Sequence, residues 1–144
     1  MTTRWIVVAG QSKAVIYRAN GRHGALSLVD TLDHPEGRLH AGDIDADRPG
    51  RTGDSHGEGR HALERAVDAH EQEAIRFAKR IAAAVDAGRK RGEFEELDIA
   101  ATPHFLGLLR DHLPDPLARC VARTVNKNLV EESLQSVADH FAKV

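Results

Sequence analysis

Hydrophobic and polar positions divide the chain into a strand-forming first third and a helical second half, separated by a polar stretch. Trp5 to Ala9 (WIVVA) is a continuous apolar run rich in β-branched residues, which predicts a central strand covered on both faces. Ala14 to Ala19 and the alternating Ala25 to Leu32 predict two more strands, with Asn20-Gly21 as a hairpin signal between them. The first third is therefore predicted to be a three-stranded antiparallel meander.

The spacing of the apolar residues changes after the polar stretch. From about Leu63 or Val67 to Arg91, apolar residues recur at spacings of three and four, which predicts one long amphipathic helix that stops at Gly92. The pattern then predicts a buried strand over Leu97 to Ala101, a helix opened by Thr102 as cap with Pro103 in its first turn, a strand over Cys120 to Val125, and a last helix over Glu131 to Phe141.

The predicted order, β-β-β-α-β-α-β-α, describes one α/β domain over residues 1–144. Right-handed crossovers would place its helices on the faces of a mixed five-stranded sheet. This is the element order of the ribonuclease H-like architecture. Nuclease chemistry of that type needs clustered carboxylates for two metal ions, but the first strand carries no acid. Glu71 and Glu73 on the long helix are interpreted as charges on a solvated face.

The composition and charge of the chain restrict the classes of function that it could have. A net charge of -2 gives no general attraction to nucleic acid or anionic membranes, so any polyanion contact would have to be local. The single cysteine, Cys120, rules out an internal disulfide. The apolar run at the start of the sequence is too short for the core of a signal peptide, and no later run is long enough to span a membrane. We expect a cytoplasmic protein without a membrane partner.

The polar stretch, residues 34–61, is predicted to be a long loop rich in glycine, histidine and aspartate between the third strand and the long helix. Loops of this length inside compact domains are often functional or disordered. Glycines ahead of a helix could cradle a phosphate, although no strand runs directly into them and no lysine follows. The candidate metal ligands in this stretch are His34, His40, His56 and His61. Apart from His56 and His61, no pair of them has the spacing of a standard zinc site, so we expect no metal and no cofactor.

Four motifs, in order, carry a resemblance: LDHPEGR, DADRPGRTGDSHGEGRHALE, HEQEAIRFAKRIA and TPHFLGLLR. The chain resembles the bacterial family of proteins required for attachment to host cells over nearly its whole length. That family is similar to the middle domain of archaeal and eukaryotic peptide-chain release factors, which has a ribonuclease H-like fold. The resemblance implies that fold here.

In release factors a glycine-glycine-glutamine tip lies just ahead of the long helix and reaches the peptidyl-transferase centre. The resemblance places residues 56–63 (HGEGRHAL) at that point, with Arg60 or His61 in place of the glutamine. Hydrolysis of peptidyl-tRNA would then lack the group that positions water. The implied role is a non-catalytic binding module for the ribosome or tRNA, with a binding segment made of Arg38, Arg48, Arg51, Gly57, Gly59, Arg60 and His61.

Two alternatives remain open. The chain could be a small hydrolase, metal-dependent or not, with His56 or His61 as general base and a nearby acid orienting it. It could also be a protein-interaction factor that acts on host attachment indirectly. The resemblance favours a binding module over an enzyme, and a homo-oligomer is compatible with the sequence.

Overall fold

The computed structural model describes residues 2–21, 23–38 and 58–144 of the chain. Three strands come first: β1 (Thr3–Ala9), β2 (Lys13–Asn20) and β3 (Ser27–Asp33). The later elements are helix α1 (Glu58–Lys90), strand β4 (Glu96–Ala100), helices α2 (Pro103–His112) and α3 (Asp115–Ala118), strand β5 (Val121–Val125) and helix α4 (Leu134–Ala142).

The five strands form one mixed sheet in the order β3-β2-β1-β4-β5. Strand β1 pairs antiparallel with β2 and parallel with β4, while β4 pairs parallel with β5. The predicted α/β class, the antiparallel meander and the five-stranded mixed sheet are confirmed. The apolar run at Trp5–Ala9 lies in the centre of the sheet, where a strand has covered faces on both sides.

Alternation along β1 sends its side chains into two separate cores. Trp5 and Val7 join a cluster with the apolar stripes of α1 and α2, including Phe77 and Phe105. Residues on the opposite face, such as Ile6, pack with apolar residues of α4. The sheet is therefore covered by α1 and α2 on one face and by α4 on the other.

Close packing of α1 on the sheet depends on Gly88. A Cβ atom at this position would lie 2.3 Å from Cη2 of Trp5. The indole of Trp5 also packs against Phe94, with ring centroids 4.8 Å apart. Glycine at position 88 thus lets the helix approach the largest side chain of β1.

Helix α1 begins earlier than the sequence pattern predicts. It starts at Glu58 rather than at Leu63 or Val67, so the predicted loop over residues 34–61 is wrong at its C-terminal end. Residues 35–38 also form a helical turn. The predicted stop is confirmed: Gly92 has φ +75°, and its N–H and that of Glu93 donate to the carbonyls of Arg89 and Gly88. These two bonds form a Schellman motif.

Two features of the helix ends differ from expectation. Thr102 is the N-cap of α2, but its side chain makes no capping hydrogen bond; Ser133 of α4 does cap, accepting from the N–H of Ser136 at 3.1 Å. The sequence pattern does not predict the short helix α3. A proline in the first turn also favours starting a helix, as Pro116 does here.

A buried charge network joins β1, β4 and β5. Asp98 is fully buried, and its Oδ1 accepts hydrogen bonds from Nη1 of Arg4 at 2.9 Å and from the backbone N–H of Arg123 at 3.1 Å. Because arginines occupy both its oxygens, this carboxylate has a structural role in the sheet. It is not arranged as a ligand of a nuclease metal ion.

Helix α1 is 33 residues long but strongly polar along one side. Among the described residues, no helix combines the length and apolar character needed to cross a bilayer.

Candidate functional site

His34 is the first residue after β3, and it is held against helix α1. Its backbone N–H donates to the carbonyl of Ser12 at 2.8 Å. Its imidazole stacks on Phe77, with ring centroids 5.0 Å apart and an interplanar angle of 11°. The histidine is buried, which fixes the ring in one orientation.

Glu73 of α1 is the partner of this histidine. Its Oε2 lies 2.8 Å from Nε2 of His34, and its Oε1 accepts a hydrogen bond from Arg76. Burial raises the pKa of Glu73, but the hydrogen bonds from His34 and Arg76 outweigh burial and leave the pKa below its ordinary value. Glu73 is therefore ionised at neutral pH although only 5% of it is exposed.

Glu36 approaches the other side of the same ring. Its Oε2 lies 3.7 Å from Nδ1 of His34, and its side chain is about half exposed. One donor atom from each of His34, Glu36 and Glu73 can be chosen so that all three lie within 4.8 Å of one another. We call these three residues the His34 cluster; it sets an imidazole between two carboxylates.

The backbone around the His34 cluster is fixed from both sides. Arg80 of α1 donates to the carbonyl of Asp33, and the N–H of Gly37 donates to the carbonyl of His34 at 3.0 Å. A Cβ at position 37 would lie 2.3 Å from the carbonyl oxygen of Gln11, so the helical turn needs glycine here. The cluster is thus held by contacts to α1 and to the turn between β1 and β2.

A second histidine–glutamate pair lies on the surface between α1 and α2. Nε2 of His104 is 2.8 Å and 3.0 Å from the two carboxylate oxygens of Glu71. The His104 side chain is 61% exposed. This pair has the same chemistry as the His34–Glu73 pair but without its burial.

The described part of the predicted binding segment lies mainly in the first turn of α1. Gly59, Arg60 and His61 are helical, and the side chains of Arg60 and His61 are 83% and 70% exposed. Both face Glu64, at 3.6 Å and 3.7 Å. Arg38 is exposed at the end of the helical turn after β3.

Other predicted site residues lie outside the described residues: His40, Arg48, Arg51, His56 and Gly57. Of the predicted metal candidates, His34 is brought to Glu36 and Glu73. His61 precedes Glu73 by twelve residues in α1, about 18 Å along the helix axis, so it does not join the His34 cluster.

Sequence reasoning missed the acids of this cluster. Glu73 was interpreted as a solvated charge, yet it is buried against His34. One signal could have found it: Glu73 precedes Phe77 by four residues, which places it on the same helix face as a core residue. The basic residues at the other end of α1 are paired as well, Arg89 and Lys90 with Asp86 and Arg91 with Glu93.

Comparison with solved structures gives matches that cover most of this chain. An archaeal translation termination factor, aRF1, is 12% identical with a TM-score of 0.45, over 98% of this chain and 37% of that chain. A structure described only as an archaeal protein is 11% identical with a TM-score of 0.47, over 98% of this chain and 36% of that one. The chain thus spans little more than a third of the structures it matches.

Sequence comparison gives the family. No curated protein matches the chain significantly in sequence. The profile of the family described as "Protein required for attachment to host cells" matches residues 5–141, almost the whole chain. The resemblance stated from the four motifs is therefore confirmed, and the chain belongs to the family of proteins required for attachment to host cells.

Proposed function

We propose that the protein is a non-catalytic binding module of the cytoplasm, directed at the ribosome or at tRNA through the segment that ends with Arg60 and His61. We also assign its sheet to the ribonuclease H-like architecture, which the order β3-β2-β1-β4-β5 and the parallel pairing of β1 with β4 support. Family membership gives the context but names no biochemical activity.

The single observation that supports this proposal is how far α1 extends from the core. From Gly59 to Gln72 none of its residues is buried, whereas Glu73, Ala74, Phe77 and Ala78 are all buried. Fourteen helical residues span about 21 Å. Glu71, near the end of this stretch, already contacts His104 of α2. The exposed side chains of Arg60 and His61 in the first turn are accessible to a cleft of a larger partner.

The chemistry of this first turn suits phosphate. The positive end of the helix dipole lies at this turn and favours an anion. Arg60 adds a guanidinium that can bond two phosphate oxygens at once. Glu64 lies 3.6 Å from Nε of Arg60, and this exposed pair is weak enough for phosphate to compete with it.

Co-sedimentation with purified ribosomes over a series of salt concentrations tests the proposal. The wild type is expected to bind at moderate salt. The Arg60→Ala/His61→Ala variant is expected to bind several-fold more weakly and with a smaller salt dependence, because each lost phosphate contact lowers the slope by about 1. Arg119→Ala, an exposed arginine next to α3, is the matched control and should bind like wild type.

Absence of wild-type binding, or equal binding by the double variant, would contradict the proposal. A second experiment tests for enzyme activity: protein made without an affinity tag is assayed on a panel of ester and phosphoester substrates. Turnover that is lost in His61→Ala would replace the binding module with the hydrolase considered from the sequence.

A further inference from the structure

We propose that His34 and Glu36 bind a divalent transition-metal ion of the Zn²⁺ type where β3 leads toward α1, with Glu73 holding the histidine from behind. No residue of the His34 cluster belongs to the proposed binding segment, and Glu73 lies about 18 Å along α1 from His61, so the metal proposal does not rest on the ribosome proposal.

The hydrogen bond to Glu73 determines which ring nitrogen is free. A carboxylate can only accept, so the 2.8 Å contact between Oε2 of Glu73 and Nε2 of His34 requires a proton on Nε2. In the neutral imidazole the lone pair then lies on Nδ1. Metal ions bind that lone pair, and it is the nitrogen nearest Glu36.

The distance from Nδ1 to Glu36 fits a shared ion. At 3.7 Å the two atoms are too far apart for a hydrogen bond. Two ligands that are each about 2.1 Å from Zn²⁺ at a tetrahedral angle lie about 3.4 Å apart. If the half-exposed side chain of Glu36 moved by a few tenths of an ångström, both atoms would lie at bonding distance from one shared ion.

The surroundings of His34 match the second layer of known metal sites. Metal-binding histidines usually donate their other N–H to a carboxylate or carbonyl, which orients the ring and raises its basicity. Glu73 occupies that position here, and Arg76 in turn fixes Glu73. Stacking on Phe77 removes further freedom from the ring.

Water or a further ligand would take the remaining coordination positions of the metal ion, since Glu36 is exposed to solvent. Imidazole with carboxylate suits Zn²⁺ better than Mg²⁺, which prefers oxygen ligands and retains its water. We therefore expect selectivity for Zn²⁺ over Mg²⁺.

The test is a titration of chelator-stripped protein, made without an affinity tag, with Zn²⁺ in isothermal calorimetry. We expect one site per chain that millimolar Mg²⁺ does not displace. Glu36→Gln should abolish this site, and Glu73→Gln should weaken it about 10-fold to 100-fold, as loss of an outer carboxylate does in other metal sites.

Glu71→Gln is the matched control, because Glu71 forms the exposed histidine–glutamate pair on the same helix. It should bind Zn²⁺ like wild type. Glu36 is exposed, so Glu36→Gln is expected to fold, and thermal melts with and without Zn²⁺ check this. The site is overturned if Glu36→Gln binds Zn²⁺ like wild type, or if Glu71→Gln loses as much affinity as Glu36→Gln, since zinc would then be bound by surface histidines.

Discussion

Asp98 and Arg123 face each other on neighbouring parallel strands, and Oδ2 of Asp98 accepts hydrogen bonds from Nε and Nη2 of Arg123 at 3.0 Å and 2.7 Å. Arg123 also donates from Nη1 to the carbonyl of Phe141 at 3.0 Å. With Arg4 on the other side of Asp98, one carboxylate links β1, β4 and β5 and, through Arg123, the end of α4.

Replacing Asp98 by Asn should destabilise the fold strongly. The substitution keeps the side-chain shape but leaves two buried arginines without their shared counter-charge, which costs about 3–5 kcal/mol. Urea unfolding measures the change in the free energy of unfolding. Asp111→Asn, at an exposed position of α2, should change it by less than about 0.5 kcal/mol. Equal stabilities of the two variants would contradict a structural role for Asp98.

Two helical glycines should respond to alanine in opposite directions. Gly88→Ala forces a methyl group against the buried indole of Trp5, and overpacking of this kind costs about 1–3 kcal/mol. A Cβ at Gly107 of α2 meets no atom within 4 Å, so Gly107→Ala should gain about 0.5–1 kcal/mol of helix stability. Thermal melts measure both changes, and the fluorescence of the single tryptophan reports any shift of Trp5.

The two N-cap residues should also differ. Ser133→Ala removes a side-chain acceptor that caps α4 and should cost about 1 kcal/mol. Thr102→Ala removes no capping bond and should cost clearly less. Chemical unfolding of the two variants side by side makes the comparison. A larger loss for Thr102→Ala would show that the cap assignments are reversed.

Asp86 should contribute a pH-dependent part of the stability. The hydrogen bond from Arg89, 2.7 Å long, is the main cause that lowers the pKa of Asp86; attraction to Arg89 and Lys90 adds to it, and partial desolvation opposes it. A carboxylate with a lower pKa in the folded state stabilises the protein above its unfolded pKa of about 3.9, and this contribution is lost as the pH falls through the folded pKa.

Asp86→Asn should therefore be less stable than wild type at pH 7, and the difference should shrink as the pH falls below about 4. Thermal melts across this range measure the difference at each pH. Arg89→Ala should show a similar loss at pH 7, because it removes the main donor. A difference between wild type and Asp86→Asn that is the same at pH 3 and pH 7 would contradict this account.

Local patterns in the sequence were sufficient to predict the strands and the packed part of α1. The β-branched run at Trp5–Ala9 and the spacing of Phe77, Ile81 and Val85 reflect burial directly, so they predict the elements that form the core. The start of α1 has no such stripe of buried residues. Gly59 and the charges around it suggest a loop, although the alanine, leucine, glutamate and arginine that follow are good helix formers.

The charged partners could not be predicted, because they are far apart in sequence. Asp98 meets Arg4 across a separation of 94 residues, and His34 meets Glu73 across 39. No period along the chain marks such pairs. His34 was a candidate ligand from its residue type alone, but its neighbours Glu36 and Glu73 became relevant only once β3 and α1 were placed side by side.

The parallel pairing of β1 with β4 has a consequence for the order of folding. The meander of β1, β2 and β3 uses contacts between neighbours in sequence and can form early, but one edge of β1 then exposes unpaired backbone groups beside a run of apolar residues. That edge is covered only when Glu96–Ala100 arrives, after the whole of α1 has been synthesised. We therefore expect the nascent chain to pass through an aggregation-prone stage, in which chaperones matter more than they do for the finished fold.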